Sequence, residues 1–219
     1  MGRERTHVHA LLNNYRSGLT LGVSAYLLGY LTTLLFVFLD GELLSSSPFS
    51  LWDRIGWTFA AAHHVPLKMT SNGQTETVHL LTESTTMNSL NSTVPALGYK
   101  LLPAVLLAWT GYKLYLRTET GSLDRREIAS AGAGVLVGYF PTTVVGWYLA
   151  SGSNTVNSFA IEVTVVAGPD LLTSVVVMGI VYPVVCGAVG ALIADYRGAE
   201  RDPDEQSEST ASTTQWRSL

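Results

Sequence analysis

Two adjacent histidines, His63 and His64, close the run LWDRIGWTFAAAHHVPL at residues 51–67. Imidazoles ligate metals or carry protons near neutral pH. A zinc pair on one helix needs spacing i, i+4, so that both rings lie on one face. Neighbouring residues on a helix point about 100° apart, so His63 and His64 do not chelate one ion. A composite site would draw on His63, His64 and His79 together with the acids Asp40, Glu42 and Glu162. The plainer expectation is no metal, with His63 packed and His64 at a wet interface.

A second pattern lies in GYFPTTVVGW and GIVYPVVCGAVG, where Tyr139 precedes Pro141 and Tyr182 precedes Pro183. Proline removes a helix donor and frees a carbonyl, and such broken helices line the cavities of transporters. Tyr139, Pro141, Tyr182 and Pro183 are therefore candidates for a pathway, or for simple kinks. No nucleophile motif, phosphate-cradling glycine loop, dinucleotide fingerprint or intramembrane carboxylate pair is present. Neither enzymatic activity nor a cofactor is expected.

The segments that position these residues are apolar. Of 219 residues, 47% are hydrophobic and 14% are charged, against about 25% charged in soluble domains. A net charge of −4 leaves no basic patch for nucleic acid. Crossing a membrane takes about 20 mainly apolar residues. Four segments qualify, at 18–39, 96–116, 128–150 and 171–194; the first reads as an anchor and not as a cleaved signal. Residues 51–65 read as a separate helix, opened by a Ser50–Asp53 capping box and stopped by Pro66. At 1.5 Å per residue they reach only about 22 Å. Trp52, Ile55, Phe59 and His63 share one helical face, and Asp53, Trp57 and His64 a neighbouring one. The expectation is an external amphipathic helix at the headgroup level.

Charge bias sets the orientation. With four spans, ten basic residues fall on one side (Arg3, Arg5, Arg16, Lys113, Arg117, Arg125, Arg126, Arg197, Arg201 and Arg217) and three (Arg54, Lys68 and Lys100) on the other. The positive-inside rule then predicts a multi-pass protein of the cell membrane with both termini cytoplasmic. Residues 1–17 are a cytoplasmic segment, 117–127 a cytoplasmic loop and 195–219 a disordered acidic tail. The external loops are 40–95 and 151–170. Within them, Thr75–Leu81 and Ser158–Val166 could pair as strands of a small cap, and Asn91-Ser92-Thr93 is a glycosylation sequon. The fold class is thus all-α: four transmembrane helices with an external amphipathic helix and a small, partly β, external cap.

Small residues recur at helical spacing: Gly18 and Gly22, Gly134 and Gly138, Gly187 and Ala191. They allow close backbone approach in a tight bundle, within one chain or between copies. The expected partners are the lipid bilayer and either a second copy or a membrane or envelope protein. The leading functional expectation is a non-enzymatic membrane protein that binds or supports a partner through its external cap. The alternative is a small-solute transporter or channel subunit with its pathway at the proline-bearing helices.

The run Gly56-Trp57-x-Phe59-x-x-Ala62-His63, followed by Gly168-Pro169-Asp170-Leu171-Leu172-Thr173 and Ile180-Val181-Tyr182-Pro183-Val184-Val185, resembles an uncharacterised family of haloarchaeal multi-pass membrane proteins, loosely labelled transporters. The resemblance runs from the first span to the end of the fourth. It implies an archaeal, halophilic cell membrane and a transporter-like role, and brings no substrate or active residues with it.

Overall fold

The computed structural model describes residues 2–40, 49–83, 94–117, 125–158 and 161–199. The chain is mostly helical. Helix α1 runs Gly2–Asp40 and α2 Leu51–Ala62; strands β1 (Leu67–Ser71) and β2 (Gln74–Val78) lead to a short α3, Leu80–Glu83. Then come α4 (Ala96–Arg117), α5 (Arg125–Ala133), α6 (Leu136–Leu149), β3 (Gly152–Ser158) and β4 (Ile161–Pro169). The last helix has three parts: α7 (Leu171–Thr173), a π-helical stretch Ser174–Val181, and α8 (Tyr182–Ala199).

Among the described residues, three helical stretches are long and apolar enough to cross a membrane: Tyr15–Asp40, Arg125–Leu149 and Leu171–Gly198. Helix α4 has 22 residues, so it is long enough, but Lys100, Lys113 and Pro103 make it less apolar. It still packs lengthwise on α8. Residues 2–17 continue α1 as helix and do not form a separate segment, and α8 runs on to Ala199, past the expected boundary at 194.

Glycines set the helix spacing. A methyl group on Gly111 or Gly132 would overlap the Gly187 carbonyl, and one on Gly22 would overlap the backbone of Val135. Only hydrogen at these positions allows α4, α5 and α8, and likewise α1 and α6, to touch backbone to backbone. The stretch Arg125–Leu149 breaks not at Pro141 but at Gly134–Val135, where i→i+3 bonds (Gly134 N–H to Ala131, Val135 N–H to Gly132) replace the α pattern. In the last span, Pro183 lacks an N–H and crowds the carbonyl one turn back. The helix widens just before it, and Tyr182 N–H bonds five residues back to Val177.

The strands form one antiparallel sheet in the order β2-β1-β4-β3. Thr75–Leu81 does not pair with Ser158–Val166 as expected; β1, read from sequence as loop, lies between β2 and β4 and pairs with both, joining the two hairpins. The β1–β2 turn is Asn72-Gly73, both at positive φ (51° and 77°), the two-residue turn that fits the twist of a hairpin. The sheet lies at one end of the bundle. Lys68 and Asp170 pair at 2.5 Å, Asp170 N–H bonds to the Pro66 carbonyl, and Trp147 Nε1–H donates to the Pro169 carbonyl at 2.8 Å.

Candidate functional site

The site grows from the way α2 starts and stops. Ser50 Oγ accepts the Asp53 N–H, while Ser50 N–H and Oγ–H both donate to Asp53 Oδ2; the capping box forms as the sequence implies. At the other end, His64 takes the left-handed conformation, φ 62°. Its N–H bonds to Ala61 and the Val65 N–H reaches back to Ala60. This pair of bonds is a Schellman ending, normally built on glycine. Histidine is among the few other residues that tolerate that backbone.

Helix α2 does not lie on a surface. Ile55 to Ala62 are all buried, and the burial goes round the helix instead of following one face. Trp52, assigned to the apolar face by periodicity, is 63% exposed. Trp57, assigned to the wet face, is buried, and its Nε1–H donates to the Ala150 carbonyl at 2.7 Å. The helix enters the bundle without crossing it. Its small residues make this possible: Gly56 meets Ala150, and Phe59 packs into the space over Gly29 of α1.

The entry delivers both histidines to the proline-bearing spans. His63 is fully buried. Its Nδ1 lies 2.8 Å from the Phe59 carbonyl, which can only accept, so Nδ1 carries the proton. Nε2 is then the acceptor, and Tyr139 Oη–H donates to it at 2.7 Å. Burial favours the neutral ring and lowers its pKa from 6.5 to about 4. His64, exposed as expected, meets the Tyr182 hydroxyl through Nδ1 at 2.9 Å. The two pairs touch, with the His63 and Tyr182 rings 5.0 Å apart. Tyr26 and Phe59 complete the aromatic cluster, Tyr26 lying 5.1 Å from Phe59 and 5.4 Å from Tyr139, both edge-on.

Tyr139 and Tyr182 are thus brought together through the histidines. Pro141 and Pro183 lie beside them in α6 and α8. The cavity next to it, lined by Phe59, Ala60, Thr143, Ser174 and Met178 among others, is about 10 Å³. Ser174 Oγ is buried there without a hydrogen-bond partner. Chemically the cluster is a clasp: the hydroxyls of Tyr139 and Tyr182 are each held by an imidazole at the C-terminal end of α2, and both nitrogens of His63 are engaged.

The composite metal site does not assemble from the described residues: no group of three His, Cys, Asp or Glu side chains comes together there. Asp40 instead closes the end of α1, accepting from Val94 N–H at 2.8 Å and Tyr99 Oη–H at 2.7 Å. His79 follows β2 and is exposed. Gly18 faces Gly134, Gly22 faces Gly138, and Gly187 and Ala191 face Gly132. Asn91, Glu42 and residues 200–219 lie outside the described residues. Tyr26 and the Phe59 carbonyl were missed from sequence. The signal for Tyr26 was its place four residues after Gly22, on the face of α1 that meets α6.

The profile of a family of unknown function, DUF7978, matches residues 4–198. No curated protein and no solved structure shows a significant match. The matched stretch covers all but the two ends of the chain, and the chain belongs to that family.

Proposed function

We propose that this member of DUF7978 is a non-enzymatic integral membrane protein that crosses the cell membrane four times and docks a membrane or envelope partner on its sheet. One observation carries the choice of docking over transport: Tyr139 is buried with its hydroxyl bonded to His63, the cavity against Phe59, Thr143 and Ser174 holds only about 10 Å³, and the larger one beside Tyr26, about 390 Å³, is lined mainly by apolar side chains such as Leu27, Trp52 and Leu149. A solute pathway there would need room and polar lining. The sheet, in contrast, offers the edge strand β2, whose residues Gln74 to Thr77 are exposed. An unpaired strand edge is a ready template for another chain.

The charge distribution supports the orientation. Arg16, Lys113, Arg117, Arg125, Arg126 and Arg197 lie toward the end of the bundle away from the sheet, whereas Lys68 and Arg54 lie at the sheet end. Under the positive-inside rule the sheet is external and the termini cytoplasmic. Helix α4 counts as the fourth span because its lysines lie near its ends, where long side chains reach the interface.

The test is site-specific photo-crosslinking in native membranes. A crosslinker at Thr75 or Glu76 is expected to capture one discrete partner, and one at Arg117 is not. Capture of nothing at any β2 position would sink the docking reading. The transport alternative rests on the π-helical stretch before Pro183 and the unpartnered Ser174 hydroxyl beside the small cavity. It predicts that Tyr139→Ala and Tyr182→Ala abolish uptake of some solute. Unchanged uptake of every solute tested would remove its support.

A further inference from the structure

Toward the end of the bundle away from the sheet, α4 and α8 approach backbone to backbone. At that approach, a methyl on Gly190 would overlap the Ala108 carbonyl. The cleft that opens there has a volume of about 280 Å³ and is lined by Trp109, Tyr112, Lys113, Ile193 and Arg197 along with Ala108 and Gly190. Lys113 and Arg197 thus converge on one cleft from two helices. The Lys113 ammonium is held over the Trp109 ring, 5.9 Å from its centroid. No carboxylate pairs with either cation among the described residues. The acid nearest in sequence, Asp195, accepts a hydrogen bond from Tyr115 at 2.8 Å.

We infer that this cleft binds the phosphate headgroup of an anionic membrane phospholipid. Two cations facing a cleft without a counter-charge among the described residues fit a phosphodiester, and an indole beside them suits the interfacial level. The chemistry continues up the groove: Val105 and Trp109 on α4 and Val189 and Ile193 on α8 are exposed apolar side chains, a track for the acyl chain. Both cations lie in or near the last turns of their helices, where a basic residue also favours the helix dipole. That role would not distinguish one lipid from another, and lipid selectivity is therefore the readout. The inference rests on the reading that the bundle is embedded in a bilayer with this end at the headgroups.

The experiment uses the full chain, purified in neutral detergent, with fluorescent phosphatidylglycerol and phosphatidylcholine as probes. Phosphatidylglycerol is expected to bind saturably and the choline lipid much more weakly. Lys113→Gln combined with Arg197→Gln should weaken phosphatidylglycerol binding about thirtyfold, each single variant less, and flatten its salt dependence. Lys100→Gln, a cation near the other end of α4, is the control and should bind like wild type. Equal affinity for the two lipids, or a double variant that binds as wild type does with an unchanged melting temperature, overturns the inference. Displacement of the lipid by millimolar inorganic phosphate overturns it too, by making the cleft a site for free phosphate. Failure of the membrane reading looks different: the protein would leave the membrane fraction on alkaline washing, whatever its lipid preference.

Discussion

At the scale of single residues, the clasp at the end of α2 makes two predictions. Tyr139→Phe keeps the ring but removes the hydroxyl that donates to His63 Nε2. A buried acceptor left unpaired costs about 1–3 kcal/mol, so the melting temperature in detergent should fall, while Tyr148→Phe, on a largely exposed tyrosine, should change little. The second concerns pH. Burial lowers the His63 pKa from 6.5 to about 4 in the fold, so between those values the unfolded chain binds the extra proton. The contribution is then complete above about pH 6.5 and is lost as pH falls toward 4. His63→Gln should remove that part of the acid sensitivity in a thermal melt run from pH 7 to 4. Asp170 acts lower down: its pairing with Lys68 and its bonds from Thr173 hold its carboxyl at about 2, against 3.8 unpaired. Its contribution is present above the usual value and disappears as pH drops through about 2. The bond between His63 and Tyr139 spans 76 positions, and no local pattern encodes a partner that distant. What was legible was each histidine's environment, buried for one and exposed for the other.

At the scale of elements, the capping box and Pro66 set the start of α2 and, to within a few residues, its end, because caps are local chemistry. Its placement was not legible. A run holding two tryptophans, an Asp-Arg pair and two histidines has the composition of an interfacial helix. Gly29 of α1, which meets Phe59, and Gly56 of α2 itself against the small Ala150 allow it inside. The hairpin was legible and was missed: Asn72-Gly73 is the strongest short-range signal of its kind, set in a stretch that composition alone marks as loop. The glycine crossings make a prediction at this scale. Gly111→Val drives a side chain into the Gly187 backbone, and overpacking of this sort costs about 1–3 kcal/mol or more. Since this is one of the backbone-to-backbone crossings of α4 and α8, a lower melting temperature and less folded protein on size-exclusion chromatography are expected. Gly198→Ala, where nothing lies within 4 Å, should be neutral or mildly stabilising.

At the scale of the whole molecule, the arrangement is a bundle of apolar helices, plugged from one end by α2 and closed at that end by a sheet drawn from two separate loops. The orientation is open to direct test. Thr75→Cys should react with a membrane-impermeant thiol reagent applied to intact cells, and Ser122→Cys should react only after lysis. Labelling of Ser122→Cys from outside would reverse the topology and put the sheet in the cytoplasm. The sequence by itself determined the class of the protein. The presence of apolar segments long enough to cross a membrane and the small residues at helical spacing are one-dimensional properties that bilayer thickness and close helix packing read directly, although three helical stretches, not four, qualify as spans among the described residues. Tertiary structure alone decided that α2 is buried, that β1 joins two hairpins into one sheet, and that His63 and His64 meet Tyr139 and Tyr182. Each of these depends on shape complementarity between segments far apart in the chain, and side-chain periodicity within one segment carries no information about the surface it will face.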